Sequence, residues 1–423
     1  MSTVLVLLTG WAAVGVLAVV SRRLAGTWMT PFVVLALPFL AVITLTAVLA
    51  LPVGFVAPAA TPLALLIGGV LVFWCGEAAA LAYARPLPPV GGAAGPWRGE
   101  AQSRTAALVV SWVLVAIMGI GFVRAFGGVG VLGNIVQKEF REQAESGLAG
   151  FARPLAMLLV VYWIGTAPRW RSAEAAAAAG LFVLLFLSFV KGTMMLPLVG
   201  GLIFRAIARG MRITPRRASS LAAGVVVLFF AVYGIETAVW GVAGLLTPRF
   251  ALAVARHLLS YLFAGVLGFS AVWQGGILPG SGDWATLIAP VWNLVAHLGG
   301  FERVANMPSN YVLVDLQVDP LTGTSNTRTI VGQIAALAGP LGAVALMLGL
   351  GLGFGLLYGA ARRGRNAWLL AVSALLGAAL FFGWFDYYFS YAFWYVAVPP
   401  GLLAALAVHL GRGRRAIEGM AQG

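Results

Sequence analysis

Apolar residues run through this chain of 423 residues in unbroken blocks, not in the one-sided stripes of soluble helices. Eleven blocks come close to the ~20 residues that carry a helix across a bilayer. They cover 3–20, 31–51, 63–83, 105–123, 152–168, 174–190, 192–208, 219–239, 330–358, 367–385 and 391–409. Short polar segments rich in arginine separate most of them. The pattern predicts an all-α polytopic membrane protein of about 11 transmembrane helices. Two polar stretches are longer, 124–153 and 240–329, and a loop of the second length is usually functional. The chain thus divides into helices 1–8 over 1–239, a large external loop over 240–329, and helices 9–11 with a tail over 330–423.

The long loop carries amphipathic structure. In "PRFALAVARHLLSYLFAG" (248–265), Arg249, Ala253, Arg256 and Ser260 recur at spacings of four, three and four, with His257 beside them. That spacing predicts an interfacial helix with a basic stripe. "WNLVAHLGGFERVANMPSNYVLVDLQVDPLTGTSNTR" then ends in polar residues immediately before the long block at 330.

Charge gives the orientation. The alternating loops divide the 27 Lys and Arg into sets of 18 and 9. The richer set includes Arg22, Arg23, Arg104, Arg171, Arg205, Arg209, Arg362 and Arg363, and the positive-inside rule makes it cytoplasmic. The N-terminus is then outside, the C-terminus cytoplasmic, and the expected location is the plasma membrane. The net charge of +14 is mostly this topological signal. It is scattered over short loops, which argues against nucleic acid as a partner. The first block has no basic residue before it and is followed by Ser21-Arg22-Arg23, so it reads as a span and not as a cleaved signal. The single Cys75 excludes an internal disulfide and a cysteine metal cluster, and reads as packing inside the third span.

Lysine is rare here, and Lys191 interrupts an apolar stretch, "LFLSFVKGTMMLPLVGGLIF" (185–204). Only 33 residues separate Arg171 from Arg205, fewer than two full passes need, so the tip holding Lys191 is expected below the membrane surface. Two readings stand: a cation facing a cavity, or one snorkelling to headgroups. Glu77, in the third span, is expected to pair with a neighbour such as Arg104. "GLGLGFG" (349–355) lacks a preceding strand and reads as close helix packing, not as a nucleotide loop. "WFDYYFSYAFWY" (384–395) reads as an interfacial aromatic belt, with Asp386 the acid best placed to face a glycan.

In layout, and in patches of sequence, the chain resembles the oligosaccharide repeat-unit polymerases, the O-antigen polymerase (Wzy-type) family. "SNTRTIVGQIAALAGPLGAVALMLGLGLGFGLLYGAARR" (325–363) is similar to the end of that family's large external loop, where an Asn/Thr turn leads into a span carrying Gly-x-x-Gly, here Gly339-Pro340-Leu341-Gly342. "GGVGVLGNIVQKEFREQAESGLAG" resembles its first external loop, and the short hairpin with a basic tip and "YLFAGVLGFSAVWQ" (261–274) also fit. Leu337-Ala338 stands where the family often has an acidic-aromatic pair. The resemblance implies a GT-C-like membrane glycosyltransferase that moves a growing glycan from polyprenyl pyrophosphate to a new lipid-linked repeat unit on the outer face. No cofactor and no metal are implied. The implied partners are polyprenyl-pyrophosphate-linked oligosaccharides and membrane lipids, with a chain-length regulator left open.

A pyrophosphate leaving group calls for cations, best as arginine forks, and the acceptor hydroxyl calls for a general base. On this reading Lys191, Arg249, Arg328, Arg141 and Asn326 bind substrate. His257, Arg256 and Asp386 are catalytic, with His257 the leading base and His297 and Asp386 behind it. Each has an alternative. Arg249, Arg256 and His257 could anchor the loop helix on headgroups, Arg328 could anchor the membrane re-entry, and Arg141 could pair on a solvated face with Glu139, Glu142 and Glu145. A ligase-type transfer to another acceptor stays close to this reading. A transporter would show internal repeats, and none is visible.

Overall fold

A computed structural model describes the chain except for residues 1, 85–86, 88–96, 98–99, 130–137, 167–170, 189–190, 211–213, 215, most of 217–247, 276–282, 305–313, 317–323, 326 and 422–423. The protein is an all-α polytopic membrane protein. Its helices are α1 (Thr3–Ala25), α2 (Pro31–Leu49), α3 (Ala60–Tyr83), α4 (Glu100–Val129), α5 (Lys138–Ala144), α6 (Leu148–Thr166), α7 (Ser172–Leu187), α8 (Lys191–Arg209), α9 (Pro248–Gln274), α10 (Ala289–Gly299), α11 (Ile330–Gly364), α12 (Ala367–Phe381) and α13 (Phe393–Ala421). Two two-residue strands, Val314–Asp315 and Thr324–Ser325, pair antiparallel.

Among the described residues nine helices are long and apolar enough to cross a membrane. Eight coincide with expected spans. The blocks at 174–190 and 367–385 form shorter apolar helices, α7 and α12, and the block at 219–239 lies largely outside the described residues. The ninth long helix is α9. The sequence pointed to an interfacial helix over 248–265, yet the helix runs on to Gln274, and Phe250–Gln274 is long and apolar enough to span. The basic stripe is confined to its first turns, and no charge follows His257 before the helix ends.

Two compact units make up the chain. The first comprises Met1–Pro88, His257–Arg363 and Gly377–Tyr395. Here α1, α2 and α3 pack on one another, and α11 lies against α3 at backbone contact distance. Glycine makes that approach feasible. A Cβ at Gly76 would collide with the Leu348 carbonyl oxygen, and one at Gly351 with that of Phe73. Gly355 sits against Ala80 in the same way. The glycine run in α11 is therefore a packing surface of the small-xxx-small kind, as its sequence suggested. Cys75, on the same helix as Gly76, is exposed on the surface of α3, not packed inside. The long α11 is broken at Gly339, whose φ of 72° and ψ of 174° leave the helical region, and Pro340 follows. Glycine tolerates that positive φ without a Cβ clash.

The second unit comprises Pro89–Arg256, Gly364–Leu376 and Val396–Gly423. Its centre is α6, packed by α4, α7 and α8. Tyr162 and Trp163 of α6 are buried; Tyr162 stacks on Trp368 at 4.3 Å, and the Trp163 indole donates to Ser111 Oγ at 3.0 Å. Gly165 admits the Phe204 ring of α8. Arg104 of α4 forms a two-point ion pair with Glu174 of α7, and Arg153 pairs with Glu145. The 16-residue α7 is short for a full pass, and the Ser188 and Thr193 hydroxyls meet at 3.0 Å across its turn into α8. Lys191 is the first residue of α8, and its side chain lies outside the described residues.

Candidate functional site

Within the first unit, buried polar groups gather at the start of α11. The chain reaches α11 through Thr327, Arg328 and Thr329. Two glycines one turn apart on α9 let this segment and the turn after α12 come close. A Cβ at Gly268 would strike the Thr327 carbonyl oxygen, and one at Gly265 those of Trp384 and Phe385. Backbone hydrogen bonds fix the junction: Thr329 N–H to the Gly265 carbonyl at 3.3 Å, and Ile330 N–H to the Gly383 carbonyl at 2.6 Å. Thr329 Oγ1 accepts from the Gly332 N–H at 3.0 Å, capping the helix. The result places Arg328, only 2% exposed, near enough to Asp386 for its charge to act on the carboxyl. Gln333, one turn into α11, is also buried.

Asp386 is 9% exposed. Its Oδ1 accepts from the Tyr387 N–H at 2.8 Å and its Oδ2 from the Tyr391 hydroxyl at 3.3 Å. Burial pushes its pKa from 3.8 up to about 6, against the opposing pull of those two hydrogen bonds and of Arg328. Burial also raises the neighbouring phenols Tyr387 and Tyr388 above the usual range, so both are neutral donors. Aromatic rings roof the turn: Phe389 lies 5.9 Å from Trp394, whose indole donates to the Tyr388 carbonyl at 2.6 Å. Toward the rim, Tyr261 of α9 stacks on Phe385 at 5.5 Å, and the exposed His257 meets Tyr261 edge-on at 4.9 Å.

Of the residues singled out in the sequence, the structure brings together Arg328 and Asp386, with His257 at the edge of the same aromatic group. Arg256 is exposed on α9. The side chains of Lys191, Arg249 and Arg141 lie outside the described residues, and so does Asn326 altogether. His297 is exposed and lies 2.7 Å from an Arg303 nitrogen. Headgroup anchoring does not suit Arg328, because an anchor must reach the surface and this guanidinium does not.

A second polar cluster lies at the other end of α11 and was misread from the sequence. Glu77 pairs with the start of α2, where its carboxylate accepts from the Phe32 N–H, and not with Arg104, whose partner is Glu174. Thr30 and Ser21 also hydrogen-bond to it. Arg362, counted above as a loop charge, is buried; it donates to the Ala25 carbonyl and, at 3.1 Å, to the Tyr358 hydroxyl. An orphan helix N-terminus attracts a carboxylate wherever one can reach it, and nothing in the sequence says which helix end that is.

Fold and site together define a multi-pass membrane protein in which a buried arginine and a buried aspartate lie near one another at the head of α11. A family model matches residues 100–403, and the chain belongs to that family, described as a family of unknown function (DUF6337). Neither the curated proteins nor the solved structures contain a match to it.

Proposed function

We propose that the protein is a polymerase of lipid-linked oligosaccharide repeat units, acting on the outer face of the plasma membrane. The observation that supports this most is the buried Arg328 beside Asp386 under an aromatic turn. Transfer from polyprenyl pyrophosphate needs a cation where negative charge builds on the leaving group and a base at the acceptor hydroxyl. Arg328 supplies the first as a planar fork of donors. Asp386, ionised above about pH 6, supplies the second. In the step, the acceptor hydroxyl gives its proton to Asp386 and its oxygen bonds the anomeric carbon. The bond from that carbon to the pyrophosphate breaks, and polyprenyl pyrophosphate departs with the electron pair. In this scheme Asp386 takes the base role that the sequence assigned first to His257. His257, Tyr261 and Phe385 form an edge on which a sugar face can stack.

The test is polymer formation from a lipid-linked repeat unit in proteoliposomes, with chelator present. Wild type should give a ladder of lengths. Arg328→Lys should lose most of it, Asp386→Asn all of it, and His257→Ala little. A ladder from Asp386→Asn equal to wild type would remove the carboxylate from the chemistry. Transfer only to an acceptor other than the repeat unit would make the protein a ligase.

A further inference from the structure

The short helix α10 has two apolar faces, and only one is covered. At 100° per residue, Ala289 and Ala296 fall on one side and are buried. Val291, Leu294, Val295 and Leu298 fall within an arc of about 100° on the other, and all four are exposed. Leu298 is 79% exposed and Leu294 59%. Phe301 and Trp284 extend the stripe at its two ends and are exposed as well. His297 lies at the border, with Arg303 beside it.

We infer that this face of α10 lies in the headgroup–acyl boundary of the bilayer the protein spans, so that α10 is an in-plane membrane helix. Three observations carry this. The turn Asp283–Ile288, which leads into α10, packs on the turn Tyr388–Ser390. That second turn joins α12 to α13, so α10 is held level with an end of these two apolar helices. Eleven residues make a helix of about 16 Å, too short to cross, which leaves the membrane plane as its orientation. The polar groups are also arranged for an interface. The Trp292 indole donates to the Glu302 carbonyl at 3.2 Å, and Asn293 exchanges two hydrogen bonds with Val304, which holds the return segment 301–304 against the helix. Backbone polar groups are thus satisfied locally, while the apolar arc, with a tryptophan and a basic residue at its margins, has no protein cover among the described residues.

The test is spin labelling in nanodiscs, on a Cys75→Ser background. Single cysteines replace Leu294, Leu298 and, as the border control, His297. Collision rates are then measured with oxygen, which concentrates in lipid, and with a water-soluble nickel chelate. Labels at 294 and 298 should favour oxygen over the chelate by several-fold, and the label at 297 should show a much smaller ratio. Chelate collisions at 294 and 298 equal to those at 297 would put the face in water and overturn the inference. Protection from both reagents would mean that a protein surface covers the stripe, and would overturn it equally. The measurement does not depend on catalysis, so it stands or falls apart from the proposed activity.

Discussion

Replacing Asp386 with asparagine tests the electrostatics of the site without any assumption about substrate. The buried carboxyl has a pKa near 6 in the folded protein and 3.8 as an ordinary aspartate. Below pH 4 it is protonated in both states and carries no penalty. Between pH 4 and 6 the unfolded chain ionises while the folded one holds its proton, so folded stability falls as pH rises. Above pH 6 both are ionised and the penalty is constant, at about 3 kcal/mol. Asparagine never ionises. Its Oδ1 can still accept from the Tyr387 N–H, and its amide can donate to the Tyr391 oxygen. Any offset from those bonds is the same at every pH. The stability of Asp386→Asn relative to wild type should therefore rise from pH 4 to 6 and then level off. For a chain of this length, 3 kcal/mol corresponds to a gain of roughly 3 °C in Tm. Thermal unfolding of the detergent-solubilised proteins, followed by intrinsic fluorescence from pH 4 to 8, gives the curve. A difference that is flat with pH would mean that burial does not shift the carboxyl at all, and one that falls would mean that Asp386 is stabilised as an anion; either would refute the reasoning. Arg328→Gln removes the nearby positive charge and should extend the wild-type decline to higher pH.

Three more expectations follow from the fold and its topology. Gly351→Leu forces a side chain into the α3 backbone and should cost 1–3 kcal/mol or more, lowering the yield of monodisperse protein, whereas Gly349→Leu, with nothing near its Cβ, should be tolerated; equal behaviour in size-exclusion chromatography would refute the packing argument. In whole cells, a cysteine at 283 should label with an impermeant maleimide and one at 214 only after the cytoplasm is opened, which requires a single crossing between them; the reverse pattern would invert the orientation, and labelling of both under the same condition would mean that the block at 219–239 and α9 both cross. Lys191→Met should insert normally yet leave single repeat units on the carrier lipid, and a wild-type polymer ladder from it would return Lys191 to a snorkelling role.

Most of the helices were legible in the sequence because repeated apolar blocks about as long as a bilayer pass have few other uses. Partners were less legible. Glu77 and Arg104 both look like buried charges in need of a counter-ion, and one-dimensional spacing could not say that Glu77 caps α2 while Arg104 meets Glu174. The same limit applied to α9, where the basic first turns masked the uncharged stretch behind them. Arg328 and Asp386 each stood out as a charge at a membrane boundary. Their proximity depends on Gly265 and Gly268, whose role appears only when the segments that cross them are seen.

The break in α11 has a bearing on where the site sits. Beyond Gly339 the helix continues for roughly 25 residues, about 37 Å, which exceeds the hydrocarbon thickness on its own. That part can tilt to match whatever bilayer it occupies. The part before the break is tied instead to the turn after α12, through the bond from Ile330 to Gly383. A change of tilt can then be taken up at the Gly339 joint without being passed on to Arg328. The distance between Arg328 and Asp386 is set by protein alone, and should be the same in thick membranes and in thin ones.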